Sequence, residues 1–115
     1  MNLFMNCSGK NLAEGFQWLN QPDNWGFDSD GRLRIYASPL SDMFQDPAGI
    51  HIKSSAPFLY KVVDGDFTIS ARVEVDMIAE YDSACLMAMA DEMNWAKLCF
   101  EYPYKTPRIV SVVTA

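Results

Sequence analysis

The run Asn94–Tyr102 carries the side chains of this chain that are best suited to hold a ligand. Successive side chains of an extended strand point to opposite faces. One face of this run combines an aromatic ring with charges of both signs: Trp95, Lys97, Cys99 and Glu101. A sugar-binding sheet uses such a set, because the ring stacks on the sugar while the charged groups hydrogen-bond to hydroxyls. We expect Asp82 and Arg72 to join from neighbouring strands. The alternative is a cross-strand ion pair beside a tryptophan that covers the sheet.

A group of carboxylates, Glu74, Asp76 and Glu80, is similar to the Glu-x-Asp-x-x-Glu strand motif of concanavalin A-like glycosidases. Retaining glycosidases hold two carboxyl groups about 5 Å apart. Here the second glutamate comes one residue too late, and Ile78-Ala79 marks the end of the strand. The alternative is a solvated strand face, so we predict no catalytic residues and keep hydrolysis by Glu74 and Asp76 as an alternative function.

Histidine and cysteine offer little for metal or nucleophile chemistry. His51 is the only histidine, and it cannot form a nucleophile–base pair without help. The chain has three cysteines, Cys7, Cys85 and Cys99, and no Cys-x-x-Cys motif. An odd number of cysteines without this motif indicates neither a disulfide framework nor a zinc site. We expect Cys85 and Cys99 to face each other on adjacent strands as buried thiols. Asp28-Ser-Asp-Gly31 lacks the downstream glutamate of a calcium loop. We predict no metal and no cofactor.

Length and charge limit the classes of partner. At 115 residues the chain is expected to form one domain, residues 1–115. The net charge of −6 and the pI of about 4.5 argue against nucleic acid, which needs a basic face, and against an anionic membrane. No apolar run is long enough to span a bilayer, and the N-terminus is not a convincing signal peptide. A reduced, cytoplasmic protein is therefore expected.

The second half of the chain predicts a row of strands. Asp66–Asp76 alternates apolar and polar residues, as a strand does when it is covered on one side. Tyr81–Ala90 and Asn94–Tyr102 form the next predicted pair, and Arg108–Thr114 is also strand-like. The second face of Asn94–Tyr102 is predicted to be core: Ala96, Leu98, Phe100 and Tyr102. Asp64-Gly65 suits a tight hairpin turn after the strand that precedes it.

The first half adds shorter strands between turns. Gly15–Leu19, Arg32–Ala37 and Ala56–Val63 are predicted strands, and Asp28–Gly31 is a predicted turn. Cys85–Met89 is apolar on both faces and is interpreted as a central strand. Many short strands at regular spacing indicate an all-β, antiparallel sandwich or barrel.

An ordered set of short segments resembles a known family. The segments are Ser41-Asp-Met-Phe44, Asp64-Gly-Asp-Phe67, Tyr81-Asp82, Leu86-Met87, Asn94-Trp-Ala-Lys97, Glu101 and Ser111-Val-Val-Thr114. They resemble the concanavalin A-like β-sandwich family labelled "regulation of enolase" proteins. The resemblance implies two facing antiparallel sheets in a jelly-roll arrangement and implies no settled activity. Ser83, Cys85 and Cys99 depart from its usual residues.

The resemblance also implies missing strands, because relatives continue well beyond the position that matches Thr114. We therefore expect a truncated concanavalin A-like β-sandwich that is completed by dimerisation or higher homo-oligomerisation through open sheet edges. A non-catalytic binding module with carbohydrate as its ligand is the leading functional hypothesis, and it rests on fold analogy. A self-assembling structural protein is the second hypothesis and a glycosidase is the third. A short open reading frame that matches only part of a larger family is also compatible with an origin in a mobile gene cassette.

Overall fold

A computed structural model describes residues 2–50, 52–79 and 81–115. The chain divides into two units, Met1–Asp66 and Phe67–Ala115. Every strand pair in the described residues is antiparallel, and the only helical element there is a short 3₁₀ turn at Pro103–Lys105. The predicted all-β, antiparallel class is thereby confirmed, and the pairing is consistent with a truncated β-sandwich.

The first unit is built from short antiparallel pairs. Its strands in the described residues are β1 (Phe16–Leu19), β2 (Asn24–Phe27), β3 (Leu33–Tyr36), β4 (Met43–Gln45), β5 (Ile52–Ser54) and β6 (Phe58–Lys61). They pair as β1–β6, β2–β3 and β4–β5. The three strands predicted in this half are confirmed as β1, β3 and β6.

The prediction of a tight hairpin at Asp64-Gly65 is wrong. β6 pairs with β1, which lies far upstream in the chain, and residues 66–76 form no strand that could return along it. Gly65 has a positive φ of 74°, so the backbone does turn there. A turn residue permits a hairpin, but the pairing itself depends on distant contacts.

The β2–β3 turn and the core beside it follow from local chemistry. The Asp28 carboxylate accepts hydrogen bonds from the backbone N–H of Asp30 and of Arg32, at 2.9 and 3.0 Å. The Arg34 Nε donates to the same carboxylate at 3.2 Å. These contacts, the Arg32 N–H foremost, lower the pKa of Asp28. The turn predicted at Asp28–Gly31 is therefore confirmed, and it directs Trp25 and Phe27 of β2 into a core cluster with Cys7.

The second unit is one three-stranded sheet. Its strands are β7 (Ser83–Asp91), β8 (Asn94–Glu101) and β9 (Arg108–Thr114), in the order β7–β8–β9. The predicted pair of strands is thus confirmed, but the interpretation of Cys85–Met89 as central is wrong, because β8 is the strand paired on both sides. Apolar residues on both faces indicate that a strand is covered above and below, but they do not identify the strands that pair with its two edges.

The tight β7–β8 turn is held by one carboxylate. Asp91 Oδ1 accepts from the Met93 N–H at 2.8 Å, and both Asp91 oxygens accept from Asn94 Nδ2 at 2.8 and 3.0 Å. The Asn94 amide is the main cause that lowers the pKa of Asp91. The ionised carboxylate therefore fixes the turn that sets the register of β8.

The alternating segment 67–79 has no partner strand in the described part of the chain. Val73, Val75 and Met77 are half-buried while the residues between them are exposed, so the predicted alternation is present from Val73 onward. Phe67 and Ile69 remain 53% and 48% exposed. The strand predicted over Asp66–Asp76 is wrong, because alternation suits a strand that is covered on one side, but a strand also needs a neighbour with which to form a ladder.

No helix among residues 2–50, 52–79 and 81–115 has the length and hydrophobicity required to cross a bilayer.

Candidate functional site

β8 places the four predicted ligand-facing residues on one face of its sheet. Each lies opposite one residue of β7 and one of β9, because β8 is central. The partners in the register are Met89 and Thr114 for Trp95, Met87 and Val112 for Lys97, Cys85 and Val110 for Cys99, and Ser83 and Arg108 for Glu101. The tryptophan therefore has a methionine beside it, whereas Glu101 has a hydroxyl and a guanidinium side chain as neighbours.

This face is the covered face of the sheet. Trp95 is only 6% exposed and Cys99 only 1%, while Lys97 and Glu101 are half-buried. The Lys97 Nζ lies 5.6 Å from the centre of the Trp95 ring, which is within the range of a cation–π contact. A sugar needs an accessible ring to stack on. In this conformation Trp95 packs as an interior side chain, with a lysine over its ring.

The opposite face, which the sequence predicts to be core, is the more exposed one. Leu98 of β8 is 52% exposed, and Ile109 and Val113 of β9 are 75% and 77% exposed. All three lie on one face, because Ile109 is opposite Phe100 and Val113 is opposite Ala96, with the exposed Ser111 between them opposite Leu98. We call Leu98, Ile109 and Val113 the β8–β9 apolar face. The alternation of residues along β8 identifies two faces of the strand. It does not indicate which of the two faces is buried.

Asp82 and Arg72, the other two predicted ligand-binding residues, do not lie on this face of β8. The Asp82 carboxylate accepts hydrogen bonds from the backbone N–H of Ile78 and of Ala79, at 3.0 and 2.8 Å. Its role in the structure is to hold the turn that leads into β7. Arg72 is exposed within the segment 67–79, outside the β7–β8–β9 ladder. The structure thus places Trp95, Lys97 and Glu101 along one face of β8, with Lys97 in contact with the Trp95 ring, and gives Asp82 a local partner.

Cys85 and Cys99 form the closest pair of reactive side chains in the described residues of this sheet. They lie directly opposite each other, and their sulfur atoms are 2.7 Å apart. Their predicted juxtaposition is confirmed, but the prediction that both thiols are buried is wrong for Cys85, which is exposed. The hydrogen bond from Cys99 is the largest cause that lowers the pKa of Cys85 to about 7. The same bond, together with burial, raises the pKa of Cys99.

The other candidates for chemistry remain apart or undescribed. Glu74 and Asp76 are exposed on the same side of the extended segment. Glu80 and His51 lie outside the described residues. Within the part of the chain that the structure describes, no three His, Cys, Asp or Glu side chains cluster closely enough to hold a metal ion.

A shallow cleft of about 290 Å³ lies in the first unit and was not indicated by the sequence beyond its turn-forming residues. Pro22, Pro39, Leu40 and Pro57 are among the residues that line it. The Asn20 side chain donates to the carbonyl oxygens of Ser54 and Ala56 in its wall, at 2.7 and 3.0 Å. Asp23 is the one ionisable side chain among its lining residues, so the cleft lacks a pair of groups for acid–base chemistry.

Comparison with known protein families gives a match over most of the chain. A family model described as "Protein of unknown function (DUF1349)" matches residues 18–115, which is most of the chain. No curated protein and no solved structure matches at a significant level. The match spans both units and every strand from β2 to β9.

Proposed function

This chain belongs to the concanavalin A-like family of proteins of unknown function DUF1349, and we propose that it is a non-catalytic binding module whose partner is a second copy of itself. The β8–β9 apolar face carries this proposal. Three large apolar side chains on adjacent strands, each more than half exposed, form a surface that water solvates poorly.

The edge of β9 supports the choice of partner. In the described residues β9 pairs with β8 alone, which leaves its other edge available. After Arg108 the strand reads Ile-Val-Ser-Val-Val-Thr, without the lysine or proline that natural edge strands use against association. Two copies of β9 can pair antiparallel about a two-fold axis, which uses the same patch on both copies. That pairing places the β9 side chains of the two apolar faces, Ile109 and Val113, beside those of the other copy across the new ladder, where each covers part of its neighbour.

The magnitudes favour a concentration-dependent dimer. Covering an exposed Leu, Ile or Val side chain contributes about 1.5–3 kcal/mol at most. Association costs roughly 4–15 kcal/mol of lost rigid-body freedom. Edge pairing covers Ile109 and Val113 only in part and does not cover Leu98, so this apolar contact offsets only part of the cost and the hydrogen bonds of the β9 edge must supply the rest. We expect weak, reversible dimerisation rather than a permanent complex.

Light scattering after size-exclusion chromatography, followed by sedimentation equilibrium over a range of concentrations, tests this proposal. Ile109→Lys places a charge in the proposed interface and should raise the dissociation constant about tenfold or more. Leu40→Lys is the matched control, because Leu40 is 86% exposed but lies on a loop of the other unit. A monomer at every concentration, or equal weakening by both variants, would contradict the proposal.

Carbohydrate binding is the second candidate, supported by the strand face that Trp95, Lys97 and Glu101 share. Its aromatic, cationic and anionic groups share one face, and Lys97 contacts the ring. A sugar would have to displace Lys97 and reach a ring that is now buried. A glycan array with the wild type, Lys97→Met and Glu101→Gln is the test. A signal that both variants lose supports binding at this face, whereas an array without signal removes it.

Hydrolysis by Glu74 and Asp76 is the third candidate. Turnover of a chromogenic β-glucan that disappears in Glu74→Gln would establish it, and no turnover in the wild type would remove it.

A further inference from the structure

The β7–β8 ladder holds Cys85 and Cys99 in the geometry of a cross-strand bond. They are directly opposite in the register, with sulfur atoms 2.7 Å apart. Directly opposed residues of an antiparallel pair have Cα atoms about 4.5–5.5 Å apart, inside the range of about 4.4–6.8 Å that a disulfide accepts. A disulfide bond is about 2.05 Å long, so a sulfur displacement of under ~1 Å would suffice. The backbone needs no rearrangement.

The two thiols differ in access. Cys85 is exposed, whereas Cys99 is 1% exposed. A reagent in solution therefore reaches Cys85 first, and Cys99 is reachable from Cys85 itself. The hydroxyl of Ser83 lies 3.7 Å from the Cys85 sulfur, and Lys97 and Glu101 are the charged side chains that act on it. The Cys99 hydrogen bond and Lys97 favour the Cys85 thiolate, while burial and Glu101 oppose it. The thiolate is the form that attacks disulfides.

We propose that Cys85 and Cys99 are a two-thiol modification site, at which a low-molecular-weight disulfide of the glutathione class forms an intrachain cross-strand disulfide. Cys85 is the entry thiol and Cys99 is the resolving thiol. This site is independent of the proposed dimer, because both sulfurs lie on the face opposite to the β8–β9 apolar face.

The chemistry balances in two exchange steps. The Cys85 thiolate attacks one sulfur of the disulfide RSSR, forms a mixed disulfide and releases RS⁻. Cys99 then loses its proton to solvent, attacks the Cys85 sulfur and releases the second RS⁻, which takes up a proton as the first does. The two protein thiols are oxidised by two electrons, and RSSR is reduced to two RSH. The new bond closes the β7–β8 hairpin and restricts the unfolded chain, so oxidation should raise the melting temperature.

Mass spectrometry of the full chain tests the proposal. The reduced protein is incubated with glutathione disulfide, quenched with acid, alkylated and digested. We expect the wild type to lose two hydrogens, and the peptides containing Cys85 and Cys99 to be recovered cross-linked. Mixed disulfide with glutathione should stay below about a tenth of the protein, because the second step is intramolecular.

Variants separate the two roles. Cys99→Ser should accumulate the mixed disulfide at Cys85 at least tenfold above the wild type. Cys85→Ser should leave Cys99 unmodified, because nothing delivers the reagent to it. Cys99→Ala removes the same thiol without placing a serine hydroxyl at this buried position, so it checks the result of Cys99→Ser. Peptide mapping of the wild type tests the disulfide even if the variants do not fold. A disulfide that involves Cys7 or joins two chains, or a Cys85–Cys99 pair that stays reduced in excess glutathione disulfide, would overturn the proposal.

Discussion

Trp95 and Cys85 show how neighbours on β8 decide what a side chain can do. Trp95 has the chemistry of a sugar platform, yet its burial and the lysine over its ring make it a packing residue in this conformation. Cys85 has the chemistry of an ordinary thiol, yet Cys99 opposite makes it more acidic. In both cases the residue type was visible in the sequence, and its role depends on the residue across the ladder.

Replacement of Trp95 tests its packing role. Because the ring is 6% exposed, Trp95→Ala should lower the free energy of unfolding by about 3–5 kcal/mol. Urea denaturation followed by circular dichroism measures this loss, and Trp95→Phe serves as a milder variant if the alanine variant does not fold. The control is Ile78→Ala, whose side chain is 84% exposed and whose change should stay within about 0.5 kcal/mol. Equal midpoints for the Trp95 and Ile78 variants would show that the ring is not buried in solution.

The acidity of Cys85 predicts a pH profile. The rate of alkylation by iodoacetamide follows the thiolate fraction, so in the wild type it should rise with pH and reach half its maximum near pH 7. In Cys99→Ala the main cause of the lowered pKa is absent, so the midpoint should move to higher pH. An unchanged profile in that variant would show that the Cys99 hydrogen bond does not act on Cys85. Peptide mapping assigns the label to Cys85 rather than to Cys7.

At the scale of elements, the central contrast is between β8 and the segment 67–79. Both alternate along the sequence, but β8 has a ladder on each side while the segment has none in the described residues. The β7–β8 pair is favoured by a short turn with a carboxylate that holds it. The segment 67–79 also ends in a turn held by a carboxylate, that of Asp82, yet it forms no ladder in the described residues, so a local turn does not by itself set a register.

Hydrogen exchange distinguishes these two states. Backbone amides of residues 67–79 should exchange at least tenfold faster than those of β8, because ladder hydrogen bonds protect only the latter. The Ile78 and Ala79 amides are the exceptions, since both donate to Asp82. Exchange followed by mass spectrometry at low protein concentration measures the difference. Equal protection would mean that the segment is a paired strand, and protection that appears only at high concentration would place it in the association interface.

For the whole molecule, charge and apolar surface act against each other. Each copy carries a net charge of −6, so two copies repel, while the β8–β9 apolar face and the β9 edge favour contact. The repulsion acts through solvent and is screened by salt, with a Debye length of about 8 Å at physiological ionic strength. The apolar contact does not depend on salt in that way.

Salt should therefore strengthen dimerisation. Raising sodium chloride from roughly 0.02 to 0.5 M shortens the Debye length well below the size of the domain and should lower the dissociation constant several-fold. Sedimentation equilibrium at the two salt concentrations measures the change, with Ile109→Lys as a variant that associates weakly at both. Weaker association at high salt would indicate an interface held by ion pairs instead of the apolar face.

Local patterns in the sequence determined much of this protein. The turn at Asp28–Gly31, the β7–β8 pair and the facing of Cys85 and Cys99 each depend on side-chain alternation or on a turn within a few residues. All three are confirmed by the structure. Composition and strand spacing were enough for the antiparallel all-β class.

The tertiary structure alone decided which strands pair and which face is covered. β6 pairs with β1 instead of a hairpin neighbour, β8 rather than Cys85–Met89 is central, and Asp66–Asp76 forms no ladder in the described residues. Trp95 is buried while Leu98, on the predicted core face, is exposed. These outcomes depend on contacts between residues distant in the chain, whose loop-closure entropy must be offset by the packing they gain. A period of two specifies that a strand has two faces, and only the neighbours that arrive in space determine which face becomes the interior.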